Sequence, residues 1–178
     1  MKTHTTNITG CVQVDLSSFR DGRGSFTKTY HFSSFDKLGL EFECKEEYVS
    51  TSNQNVVRGM HFQSPPNDHN KIVYCLAGKV RDVILDIRKD SKTFGQCLAI
   101  ELDADNPSAI YIPRGCAHGF LVISDAATML YRVSTEHSPA SDLGIRWNSF
   151  GFNWEIENPI ISERDNLFPP FENFVSPF

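Results

Sequence analysis

The sequence predicts an all-β protein, an antiparallel sandwich or barrel, on three observations. Short alternating or β-branched runs recur, turn residues separate them at short spacing, and helical periodicity is nearly absent. Ser33–Leu38 suggests one short helical turn. Lys71–Leu76 leads through Ala77-Gly78 into Lys79–Ile87, a pattern that predicts a hairpin. In the second of these runs Val83, Leu85 and Ile87 share one face, with Asp82, Ile84 and Asp86 on the other. Cys97–Leu102 follows, then an Asp-Ala-Asp-Asn-Pro-Ser turn and Ala109–Ile112. Phe120–Ile123 and Thr128–Val133 continue the series around the turn Ser124–Ala127. From Asn158 to Phe178, four prolines and four phenylalanines predict an arm held by aromatic packing rather than a regular element.

The 178 residues suit a single domain spanning 1–178, and 40% hydrophobic with 22% charged residues is an ordinary globular composition. No run approaches the roughly 18 apolar residues of a membrane span, and Met1–Gly10 lacks the apolar centre of a secretory signal. Five cysteines (Cys11, Cys44, Cys75, Cys97 and Cys116) form no CxxC pair, which predicts reduced, mostly buried thiols in a cytoplasmic protein. A formal charge of −5 argues against a nucleic-acid partner. An anionic ligand must therefore be met by locally clustered Arg and Lys.

The chemistry-bearing residues concentrate in "RGMHFQSPPNDHNKIV", from Arg58 to Val73. A metal-binding cupin barrel carries an HxH pair on one strand and a further His on a later one. Here Phe62 and Gln63 follow His61, His69 stands in a loop that does not aim it beside His61, and only His118 in "IPRGCAHGF" fits the pattern. That leaves too few ligands for a tight site. Acid–base chemistry fits better, because histidine is the side chain suited to general-base work near neutral pH. Tyr131, in "MLYRVS", shares a strand face with Met129 and Val133. Taken singly, His61, His118 and Tyr131 are each compatible with a purely structural role. Lys71 stands out because it opens the apolar run IVYCL, where a cation is costly unless a polar ligand meets it. Arg23 and Arg58 each precede a glycine, which lets a guanidinium fork reach a phosphate beside closely approaching backbone.

Six segments, "DGRGSF", "VVRGMHFQ", "KIVYCLAGKVRDVILDIRKDSKTFG", "IYIPRGCAHGF", "LYRVSTEHSPASDLGIRW" and "PIISERD", resemble in order and spacing the dTDP-4-dehydrorhamnose 3,5-epimerase family. The resemblance runs from about Gly10 to Pro170. It implies a cupin-like jelly roll, a homodimer with exchanged strands, no metal and no cofactor. It also implies a nucleotide-diphosphate 4-keto-6-deoxy sugar as substrate, whose C4 ketone acidifies the protons at C3 and C5. By resemblance His61 is the base, oriented by Asp165, and Tyr131 the acid on the opposite face of the ring. Lys71, helped by His118, stabilises charge at the C4 oxygen. Arg23 and Arg58 match positions at the diphosphate and sugar, and Phe26, Lys28, Asp142 and Arg164 fall at further substrate-contact positions.

Departures cluster at the nucleotide end. Lys28 replaces an acidic residue, Glu46-Glu47-Tyr48 replaces Gln-Asp-Asn, His137 replaces a tyrosine, and Asp142 replaces a glutamate. These leave CDP and GDP sugars open beside dTDP, and an enzyme that inverts only C3 is the nearest alternative. A catalytically silent binder would favour loss of His61 or Tyr131, and both are present.

Overall fold

The structure, a computed structural model, describes residues 2–40 and 42–178. Its strands are β1 (Lys2–Thr5), β2 (Val12–Asp15), β3 (Ser17–Asp21), β4 (Gly24–Lys28), β5 (Glu46–Asn53), β6 (Val57–Gln63) and β7 (Lys71–Ala77). They continue as β8 (Lys79–Asp86), β9 (Cys97–Asp103), β10 (Ser108–Ile112), β11 (Cys116–Val122), β12 (Ala126–Val133) and β13 (Asp142–Gly144). Helices are short: α1 (Phe32–Lys37), α2 (Glu163–Asn166) and a 3-10 turn at Phe171–Asn173.

One sheet runs β1-β2-β10-β7-β12-β5 and the other β13-β6-β11-β8-β9, while β3 and β4 pair only with each other. This is the all-β, cupin-like jelly roll that the sequence implies. Strand alternation divides the apolar residues among three layers. Val73, Cys75, Ile84, Phe120 and Met129 meet between the sheets. Ile72 and Tyr74 point out of the first sheet onto Phe35, Leu40 and Phe42. Val83, Leu85 and Ile87 point out of the second sheet, as the sequence pattern predicts, under the C-terminal aromatics. Phe62 there meets Phe174 and Phe178 at ring distances of 5.6 and 6.0 Å, so the arm is held by aromatic contact.

The expected hairpin at Ala77-Gly78 is corrected by this topology. β7 pairs with β10 and β12, whereas β8 pairs with β11 and β9, so the turn is a corner between sheets. Alternation specifies which face is buried, not which strand is the neighbour. Val73 and Ile84 enter the same core from opposite sides. β11 also begins at Cys116, ahead of the predicted Phe120, because His118 and Gly119 interrupt the apolar signal without interrupting the ladder. The cysteines are free, with Cys11, Cys75 and Cys116 buried.

Candidate active site

β6 turns Met60 and Phe62 outward and His61 inward. His61 lies opposite His118 on β11, and the ladder is bulged between His118 and Phe120. Two glycines make this close approach possible. A Cβ on Gly119 would lie 2.7 Å from the Arg58 carbonyl, and one on Gly59 would lie 2.6 Å from Gly119 Cα. Gly59 also has φ +122°, which other residues rarely adopt. Its N–H donates to Asp165 Oδ2 at 2.9 Å, while Asp165 Oδ1 meets His61 Nε2 at 2.9 Å. Asp165 sits in α2, whose N-cap Ser162 accepts the Asp165 N–H at 3.1 Å. Burial raises the carboxyl pKa, but hydrogen bonds from His61, Gly59 and Ser162 outweigh it and hold the group below its usual value. Asp165 is therefore an anion that orients the imidazole.

Tyr131 projects from β12 in the opposite sheet and is buried. Its hydroxyl shares a 3.2 Å hydrogen bond with Ser50 Oγ. The Tyr48 ring stacks on it at 4.8 Å and 16°, and His118 approaches edge-on at 6.1 Å. Burial drives the phenol pKa well upward, so the proton stays on oxygen at neutral pH.

Lys71 opens β7 in the interior, and its Nζ donates to the His61 carbonyl at 3.4 Å. Burial pushes its pKa down to about 8, opposed by the carboxylates of Asp142 and Asp82. Asp82 Oδ2 meets His118 Nε2 at 2.8 Å, both residues being buried, and Asp82 Oδ1 has no hydrogen-bond partner among the described residues. Arg58 donates through Nε to Ser52 Oγ at 2.8 Å.

These side chains line a cavity with two lobes that share Tyr48, His61 and Lys71. The inner lobe, about 190 Å³, adds Ser50, Arg58, His118 and Tyr131. The outer lobe, about 280 Å³, adds Gln63, His69, His137, Asp142 and Arg164. There Asp142 accepts from Arg164 at 2.8 Å and His137 at 3.2 Å. His69, which its loop spacing does not aim beside His61, nevertheless lines the same lobe, turned by contacts with Gln63 and Thr135. Burial lowers its pKa to about 3, so it is neutral.

Eight of the predicted residues thus converge: His61, Tyr131, Asp165, Lys71, Arg58, His118, Asp142 and Arg164. Arg23, Phe26 and Lys28 do not. They lie on the β3–β4 ribbon, where Arg23 pairs with Asp21 at 2.6 Å and Phe26 is 64% exposed. Sequence reasoning missed Ser50 and the role of Asp82. A carboxylate alternating with Ile84 on a core-facing strand side was the available signal for Asp82. Among the described residues no group of three or more His, Cys, Asp or Glu converges as a metal-ligand set.

A family model described as dTDP-4-dehydrorhamnose 3,5-epimerase matches residues 5–173. The chain belongs to the dTDP-4-dehydrorhamnose 3,5-epimerase family. It is 39% identical over 168 residues to the Salmonella typhimurium enzyme of that name, covering 92% of each chain. The Bacillus anthracis enzyme, crystallised with TDP and PPi bound, superposes with TM-score 0.92 at 34% identity, over 95% of this chain and 98% of that one. A Legionella pneumophila epimerase in complex with dTDP-4-keto-L-rhamnose gives TM-score 0.93 at 29% identity, covering 98% and 94%. The family is one of epimerases, so this chain is an isomerase.

Proposed function

We propose that this epimerase inverts C3 and C5 of a dTDP-linked 4-keto-6-deoxy sugar, with His61 as base and Tyr131 as acid. The observation that carries the reading is that an Asp165-oriented imidazole and a buried phenol enter one cavity from opposite sheets, with a buried lysine lining that cavity. Inversion needs this arrangement, because a proton must leave one face of the ring and return on the other. Removal of a proton next to the C4 ketone leaves an enolate, whose oxygen is met by the Lys71 ammonium with His118 beside it. A donor of this kind is worth roughly 3–4 kcal/mol in the transition state, and each proton-transfer group about 10²–10⁴-fold. Arg58 and Arg164, with Asp142 fixing the latter, bind the polar remainder of the substrate. Arg23, Phe26 and Lys28 act in the site of a second subunit of a homodimer; the exposed ribbon that carries them supports this.

The direct test is incubation with dTDP-, CDP- and GDP-4-keto-6-deoxy sugars in deuterated water, followed by NMR. Deuterium at C3 and C5 of the dTDP sugar, lost in His61→Ala, is the expected result. Wild-type protein that leaves both carbons unlabelled in all three sugars overturns the proposal. Label at C3 alone selects the single-centre enzyme, and label confined to another nucleotide moves the substrate.

A further inference from the structure

One phenol serving two carbons creates a problem of proton balance, and this inference rests on the function just proposed. In the first inversion His61 takes a proton from carbon and Tyr131 O–H gives one to the opposite face. The ring carbon ends with one C–H broken and one formed, and the protein ends with His61 protonated and Tyr131 as phenolate. The second inversion needs both groups reset. His61, half-buried at the junction of the two lobes, can release its proton to solvent through the cavity. Tyr131 is in a different position. It is 6% exposed, one ring face is covered by Tyr48, and His118 stands against its edge. Burial makes the phenolate costly and its reprotonation strongly favoured, but only through a hydrogen-bonded route.

Among the described residues one side chain hydrogen-bonds the Tyr131 hydroxyl: Ser50, through Oγ at 3.2 Å. Ser50 is half-buried, faces inward on β5, lies across from Met129, and lines the inner lobe. A serine hydroxyl both donates and accepts, so it can pass a proton that a bare wall could not.

We propose that Ser50 is the proton relay that recharges Tyr131 between the two inversions. Its O–H proton passes to the Tyr131 phenolate as its oxygen takes one from water, and the His61 proton returns to water, so no net charge or proton is consumed. Ser50 therefore governs whether one substrate molecule leaves inverted at one centre or at two.

The experiment compares wild type, Ser50→Ala and Ser50→Thr under single-turnover conditions, with singly and doubly inverted sugars quantified by NMR and thermal denaturation as the check on folding. We expect Ser50→Ala to carry out the first inversion within about 3-fold of wild type. The second should slow by about 10-fold or more, so that singly inverted sugar accumulates. Ser50→Thr, which keeps the hydroxyl, should restore the wild-type product ratio. An unchanged ratio in Ser50→Ala overturns the relay, as does equal slowing of both inversions, which would mean that Ser50 only holds the phenol in place. Failure of the wild type to invert either centre instead removes the proposed function itself, so the two failures are distinct. Should Ser50→Ala fail to fold, Ser50→Val, isosteric with Ser50→Thr but lacking its hydroxyl, gives the same reading of the ratio.

Discussion

Lys71 is the residue at which stability and catalysis conflict most openly. Burial lowers its pKa from 10.5 to about 8. The folded state therefore holds this proton less tightly than the unfolded chain, and the resulting penalty is in force below about pH 8. It is relieved as pH rises from about 8 to 10.5, where the unfolded chain still binds the proton and the folded one does not. The activity should move the other way, because the charged ammonium stabilises the enolate and is lost as pH rises through about 8. An alkaline limb in kcat near pH 8, absent from the residual rate of Lys71→Met, checks this. Lys71→Met should also raise thermal stability at pH 7 by on the order of 1–3 kcal/mol, or several degrees in Tm, while lowering kcat by about 100-fold or more. A less stable Lys71→Met protein would mean that Asp82 and Asp142 compensate the buried charge fully. The same conflict made Lys71 legible in the sequence, since a cation opening an apolar strand has few structural explanations. Asp165 had no such signal. It lies 104 residues from His61, and only the resemblance joined them.

At the scale of elements, the site depends on how closely β6 and β11 approach. The bulge between His118 and Phe120 brings Gly119 against the Arg58 carbonyl and the Met60 sulfur, with no room for a methyl group. Gly119→Ala must push these strands apart at the step that aligns His61 with His118 and turns the Gly59 N–H toward Asp165. We expect a loss of about 1–3 kcal/mol in stability. Activity should fall further than unfolding explains, which is checked by measuring kcat at a temperature where the variant is fully folded. The strands between Lys71 and Val133 could be read from their apolar or alternating runs, because their buried faces meet the core or a second layer. Four of the earlier strands escaped notice for the opposite reason: β1 and most of β3, β4 and β5 are exposed, so their side chains carry no such pattern. Pairing was beyond reach even for the legible strands. The corner at Ala77-Gly78 is the case in point, since local sequence fixes a turn but not the sheet that the next strand joins.

For the molecule as a whole, the β3–β4 ribbon is the part that the chain alone does not explain. It pairs with neither sheet, it exposes Phe19 at 66% and Phe26 at 64%, and it carries the arginine that the family pattern assigns to the diphosphate. Two large aromatics left in water on a two-stranded ribbon are unfavourable unless something covers them. A net charge of −5 also leaves an anionic substrate dependent on every local cation that can be brought to it. A second copy donating its ribbon would answer both needs at once, and a symmetric pair would do so twice. Complementation tests this without a structure of the assembly. His61→Ala and Arg23→Glu proteins should each be nearly inactive alone. Unfolded together and refolded, they should recover about a quarter of the wild-type rate, because half of randomly paired dimers are mixed and each mixed dimer holds one site with both residues intact. If Arg23 serves its own subunit, every site in the mixture lacks one residue and nothing is recovered. Light scattering on Phe19→Asp/Phe26→Asp supplies the companion measurement: a monomer with low activity is expected, and an intact dimer would mean that the ribbon is not the interface.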